Sequence, residues 1–214
     1  MSGSGNRRPL ASRQTGWANA TARRLAATRI TPNQISVAGM GFALAAGLAF
    51  WAAGAVDGGW RALLLALGAG CVQGRLLCNL FDGMVAIEAG RSAPDGPFWN
   101  EFPDRVSDAL ILMGLALGAG VPVLGWAAVA MAFLTAYVRE LGVNCGAPAD
   151  FSGPMAKQHR MALVTGAALV SIPAPLWDWR DQFLTAALWA VALGAGLTAL
   201  RRAARLVATL RAGR

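Results

Sequence analysis

Residues 35–56, "ISVAGMGFALAAGLAFWAAGAV", and 109–138, "ALILMGLALGAGVPVLGWAAVAMAFLTAYV", contain no charged side chain. A run of about 18 or more apolar residues is long enough to cross the roughly 30 Å hydrocarbon layer as a helix. The second run is long enough for two crossings, with "GAGVP" at 118–122 as the turn between them. The other apolar stretches bring the pattern to six candidate spans, near 34–55, 60–88, 99–119, 122–145, 158–175 and 182–206. The expected fold class is an all-α integral membrane protein with six transmembrane helices. Composition agrees: 14% of the residues are charged, where soluble domains carry roughly 25%.

The basic residues are placed unevenly. Arg7, Arg8, Arg13, Arg23, Arg24 and Arg29 precede the first span, and Arg201, Arg202, Arg205, Arg211 and Arg214 lie at the end of the last. The 2–3 and 4–5 connections and their flanks add Arg91, Arg105, Arg139, Lys157 and Arg160. The other three connections hold Arg61 and Arg180, offset by Asp57, Asp178 and Asp181. Basic residues mark the cytoplasmic side, so both termini are expected there, as six spans require. Juxtamembrane arginines point to anionic lipid headgroups as partner, not nucleic acid.

Two regions are expected. Residues 1–30 form a basic tail and an amphipathic juxtamembrane helix, in which Trp17, Ala20, Leu25 and Ala26 share a broad face; the bland alternative is a solvated tail. Residues 31–214 form the membrane domain. Thr31 can cap the first span, with Pro32 at its first helical position. No cleavable leader is expected. Cys71, Cys78 and Cys145 fall within or at the ends of spans and read as free thiols.

The exception to the apolar pattern is "RLLCNLFDGMVAIEAGRSAPDGPFWNEFPDRVSDALI", residues 75–111. Asn79 and Asp82 are three apart and share a helix face, which Arg75 joins; Asn100, Asp104 and Asp108 share another, with Glu101 beside it. As neighbouring antiparallel spans, the two polar ends would meet at the cytoplasmic surface. Buried carboxylates cost several kcal/mol each unless compensated. Hard oxygens on facing helices suit Mg²⁺ or Mn²⁺; a helix-end network paired with Arg75, Arg91 and Arg105 is the plainer alternative. Gly83 costs about 1 kcal/mol relative to Ala inside a helix. Close approach of a ligand is one reason for it, and Ala86 extends the small surface.

The spacing resembles the signature of the CDP-alcohol phosphotransferases, D-x2-D-G-x2-A-R-x8-G-x3-D-x3-D. Asn79, Asp82, Gly83, Ala86, Ile87, Gly96, Asn100 and Asp104 stand in those places without a gap. Asp82, Asp104 and the small residues match; Asn replaces the first and third acidic residues, and Ile87 the Arg. The likeness extends to a bacterial subgroup with Asn at these positions. Pro32 and Asn33, Tyr137 and Arg139, and Lys157 and Arg160 also resemble family features. The resemblance implies a Mg²⁺ or Mn²⁺ cofactor held by Asn79, Asp82, Asn100 and Asp104, with Glu101 and Asp108 as supplementary ligands. It implies Asp104 as base on the acceptor hydroxyl, and Gly83, Ala86 and Gly96 at a CDP-diacylglycerol-like donor. Arg139, Lys157 and Arg160 would serve an acceptor alcohol whose identity stays open. It further implies a homodimer in the inner membrane, making phospholipid with release of CMP. An inactive CDP-lipid or metal-binding relative, and a small ion-coupled transporter, are the alternatives.

Overall fold

The computed structural model describes residues 15–88 and 95–212. Arg7, Arg8, Arg13, Arg91, Arg214 and most of the turn after the second expected span lie outside them. Among the described residues there is no strand. Seven α-helices follow in order: α1 (Gly16–Ala26), α2 (Pro32–Ala53), α3 (Gly58–Glu88), α4 (Gly96–Gly118), α5 (Pro122–Asn144), α6 (Lys157–Val170) and α7 (Gln182–Ala212). One further 3-10 turn spans Ala174–Trp177.

The helices fall where the apolar runs place them. Four of them, α2, α3, α5 and α7, are long and apolar enough to cross a membrane. α4 and α6 are not, for two different reasons. The first half of α4 carries Glu101, Asp104, Arg105 and Asp108, and α6 has only 14 residues. The fifth expected span ran to 175, but its helix stops at Val170. Pro173 and Pro175 follow, and a proline removes the amide that continues a helix.

The start of α2 is specified locally. The Thr31 side chain accepts from the Gln34 amide at 3.2 Å, and Gln34 Oε1 accepts from the Thr31 amide at 3.0 Å, with Pro32 next. This reciprocal cap satisfies amides that the first helical turn leaves open. At the far end, the buried Arg61 donates to the Ala53 carbonyl at 2.9 Å and to Asp181 at 2.9 Å. Arg180 donates to the Gly54 and Val56 carbonyls. Together they satisfy orphan carbonyls at the end of α2 and tie it to the start of α7.

α2 is the hub: it packs against both α3 and α4, whereas α3 and α4 make few direct contacts. This corrects the expectation of α3 and α4 as packed neighbours. The reason lies in small residues. A Cβ added at Gly47 would collide with the Leu110 carbonyl, and one at Gly114 with the Gly47 backbone. The α2 and α4 backbones approach so closely that no side chain fits between them, the mode of contact small residues permit in membranes. α5 packs on α7, and α6 on α3 and α7. The core runs through Phe50, Leu65, Val72, Leu112, Leu115, Met161, Leu184 and Leu188, all at most 1% exposed.

α1 lies against α3. It buries Ala18 and Ala22 beside Leu80 and Met84, while Trp17 meets Phe81 edge-on at 6.1 Å between ring centroids. The stripe packed on α3 runs through Ala18 and Ala22, beside the expected interfacial face of Trp17, Ala20, Leu25 and Ala26. Alanines let the two helices come close, and the larger residues flank the contact.

Candidate active site

The ends of α3, α4, α5, α6 and α7 that meet at one pole carry the polar constellation. The space between α3 and α4 is bridged by side chains, not by backbone contact. Asp104, only 8% exposed, is the centre. Its Oδ1 accepts from Arg75 at 2.8 Å and from the Asn79 amide at 3.2 Å. Its Oδ2 accepts from the Lys157 ammonium, which also donates to Asn79 Oδ1 at 2.6 Å. Arg105 stands 3.9 Å from the same Oδ2. Three helices therefore converge on one carboxylate.

Asp82 lies one turn beyond Asn79 on α3. Its Oδ2 accepts from the Ser36 hydroxyl of α2 at 2.9 Å, and its Oδ1 from the Gly83 amide at 2.6 Å. Ser36 went unnoticed in the sequence. Its only signal was a hydroxyl at the polar start of an apolar run, five residues past a cap.

Asp108, fully buried, accepts from Arg160 at 2.6 Å, and Arg160 also donates to the Met155 carbonyl at 3.0 Å. The other Asp108 oxygen has no hydrogen-bond partner among the described residues. Glu101 pairs with Arg139, whose guanidinium also sits 5.1 Å from the Phe151 ring centroid. Asn100 is exposed and donates to Glu101 at 3.2 Å. Of the four ligands expected, the structure brings Asn79 and Asp104 into contact, sets Asp82 one turn away, and turns the Asn100 amide to Glu101. Ala86 is half-buried. Gly96 opens α4, and a Cβ there would meet nothing within 4 Å.

Beside this cluster, Arg139, Asp150, Arg202 and Arg205 line a cleft of about 310 Å³ between α5, the 145–156 connection and α7. Burial pushes the Asp150 carboxyl up, but hydrogen bonds from the Ser152 hydroxyl and amide, with Arg205 and Arg202, outweigh it and hold it below the ordinary value. Asp150, Arg202 and Arg205 gave no sequence signal beyond charge, because only the fold brings α7 against that connection.

Among the described residues, no three His, Cys, Asp or Glu side chains form a metal cage. Mg²⁺ rarely needs one, since it is usually held by one or two carboxylates together with substrate phosphates. Asn79 Oδ1 and Asp104 Oδ2 already converge on a positive charge, the Lys157 ammonium. By kind and direction these oxygens fit a divalent cation, with Asp82 as the adjacent carboxylate.

No family model matches the chain. Two curated proteins are similar to it. The bifunctional IPC transferase and DIPP synthase of Rubrobacter xylanophilus is 38% identical over 116 residues, which are 52% of this chain and 24% of that protein. The archaetidylinositol phosphate synthase of Pyrococcus horikoshii is 30% identical over 132 residues, 62% of this chain and 63% of that one. The chain thus spans less than two thirds of the length of either. Among solved structures, the fold resembles Mycobacterium tuberculosis phosphatidylinositol phosphate synthase. The form with CDP-DAG bound gives a TM-score of 0.72 at 20% identity, covering 88% of this chain and 92% of that one. The complex with manganese and citrate gives 0.73 at 21%, covering 89% and 88%. The chain is thus similar in sequence to these two curated proteins and shares the fold of the solved synthase, and its motif spacing across α3 and α4 is unbroken.

Proposed function

We propose that the chain is a membrane phosphotransferase that moves a phosphatidyl or similar phospho-alcohol group from a CDP-alcohol, such as CDP-diacylglycerol, to an acceptor hydroxyl. The observation that carries this reading is the meeting of Asp104 on α4 with Asn79 on α3, at the motif positions and in the family fold. The acceptor oxygen would form a bond to the lipid-side phosphorus as the bond from that phosphorus to CMP breaks. Asp104 would take the hydroxyl proton, and CMP would leave with the bridging oxygen. A carboxylate gripped by Arg75 and Lys157 is a weak base, so one of these contacts yields when substrate arrives.

A divalent ion held by Asn79, Asp82 and Asp104 would neutralise charge on the diphosphate. The chain's own part is positioning. Ser36 fixes the Asp82 carboxylate, Arg75 fixes Asp104, and Gly83, Ala86 and Gly96 leave room for the nucleotide. Asn100 and Glu101, displaced from the centre, would serve only with movement at the start of α4, and Asp108 only by leaving Arg160. For the acceptor, the cleft of Arg139, Arg202 and Arg205 suits a phosphate better than the buried Arg160, which Asp108 holds. The relatives named as inositol phosphate synthases support a phosphate-bearing alcohol there.

In this reading α4 and α6 cross the membrane within the bundle, α1 lies in the headgroup layer, and both termini face the cytoplasm. The protein resides in the inner membrane as a homodimer. A relative that binds CDP-lipid without turnover is the second reading, favoured by Asn at two acidic positions and by the engagement of Asp104. Acceptor-dependent CMP release from CDP-diacylglycerol, in membranes with Mg²⁺ or Mn²⁺, separates the two. Turnover supports the transferase; donor binding without CMP supports the second reading.

A further inference from the structure

The chain has 19 basic residues, and only Lys157 is a lysine. Every other cationic partner in the cluster is an arginine. The one ammonium stands where two oxygens from different helices converge, Asn79 Oδ1 of α3 and Asp104 Oδ2 of α4. An arginine presents a wide planar fork, whereas an ammonium is a compact point charge with donors in three directions. In size and charge it is the side chain most like a bound metal cation.

Its placement is otherwise unfavourable. Lys157 opens α6, with His159 and Arg160 also in the first turn and no acidic residue there. Cations at a helix N-terminus oppose the helix dipole. The stem is nonetheless fixed: Ala156 before it is 3% exposed, and Arg160 one turn on is locked to Asp108. The site is thus closed by a cation that the chain itself supplies.

We infer that Lys157 is a resident cation of the site, filling the oxygen position between α3 and α4 that a divalent ion would take, so that the chain binds its divalent ion in competition with its own ammonium. This rests on the proposed function for the existence of that ion. With a neutral Asn79 in place of a carboxylate, one ammonium balances Asp104, and the cluster needs no metal to fold.

The test is Mn²⁺ binding, followed by the electron paramagnetic resonance of free Mn²⁺, to purified protein in nanodiscs of neutral lipid. Lys157→Met is expected to tighten binding at least tenfold over the wild type. Arg105→Met, which removes a nearby cation that does not fill the position, should stay within threefold of it. Equal or weaker binding by Lys157→Met, or an equal gain from Arg105→Met, overturns the inference. Should Lys157→Met fail to fold, the wild type suffices, because an amine-reactive reagent marks a single lysine. Mn²⁺ should raise the modification rate of Lys157 several-fold, and an unchanged rate contradicts displacement. CMP release is measured separately. A chain that releases CMP while its Lys157→Met variant gains no Mn²⁺ affinity keeps the function and loses the inference. One that gains affinity and never releases CMP does the reverse.

Discussion

Arg75 and Asp104 meet at 2.8 Å, both largely buried, although the helices that carry them scarcely touch. The side chains span a gap that α2 props open. Removing one member of a buried ion pair typically costs about 3–5 kcal/mol, because the other charge is left uncompensated. Lys157 still holds Asp104 when Arg75 is lost, so Arg75→Met should fall at the low end of that range. A thermal unfolding midpoint in detergent equal to the wild type's would show that the pair does not support the fold.

Asp108 and Arg160 form a second buried pair at 2.6 Å. Asp108→Leu and Arg160→Met should each destabilise the protein strongly, and the double variant should recover much of the loss, since neither charge is then stranded. Additive losses in the double-mutant cycle would mean that the two act separately, as a substrate-binding Arg160 requires.

Glycines make opposite predictions at two places. Gly47→Ala drives a methyl into the Leu110 carbonyl, and overpacking of this kind costs about 1–3 kcal/mol. Gly96→Ala meets open space and should leave stability unchanged. If Gly96 borders the nucleotide, the same variant should raise KM for the CDP-linked donor at least several-fold. Unchanged KM would remove Gly96 from the donor site.

The charge map sets the sidedness. Reporter fusions after residues 57 and 178 should read outside and one at 214 inside, as an even number of crossings with basic cytoplasmic ends requires. An outside reading at 214 would mean an odd number of crossings, contradict six spans and put the sidedness of the Asp104 cluster in doubt.

Much of this was legible in the sequence because it is local. The spans follow from uncharged runs, the α2 start from Thr31, Pro32 and Gln34, and the polar centre from residues three and four apart. What escaped depends on distant parts of the chain. That α2 parts α3 from α4 follows from the Gly47–Gly114 approach, which no periodicity reveals. Ser36 joins Asp82 only because α2 lies beside α3. Arg160 read as a phosphate ligand because it sits with Lys157 at a basic helix start, but the α4 register puts Asp108 opposite it. The contact of α1 with α3 through Ala18 and Ala22 had no signal in the sequence, because two small residues four apart say nothing of which helix they meet.

The fate of the transferred phosphorus tests the proposed chemistry most directly. Membranes holding the protein are given CDP-diacylglycerol labelled on its lipid-side phosphate, with Mg²⁺ or Mn²⁺ and candidate acceptors, inositol phosphate among them. The prediction is that the label passes into a new lipid only when an acceptor is present, with unlabelled CMP released in equal amount. Asp104→Asn should slow the transfer roughly a hundred- to ten-thousand-fold, the usual loss for a general base, while the donor still binds. Label that stays in CDP-diacylglycerol with every acceptor, or transfer by Asp104→Asn at the wild-type rate, would contradict the proposed chemistry.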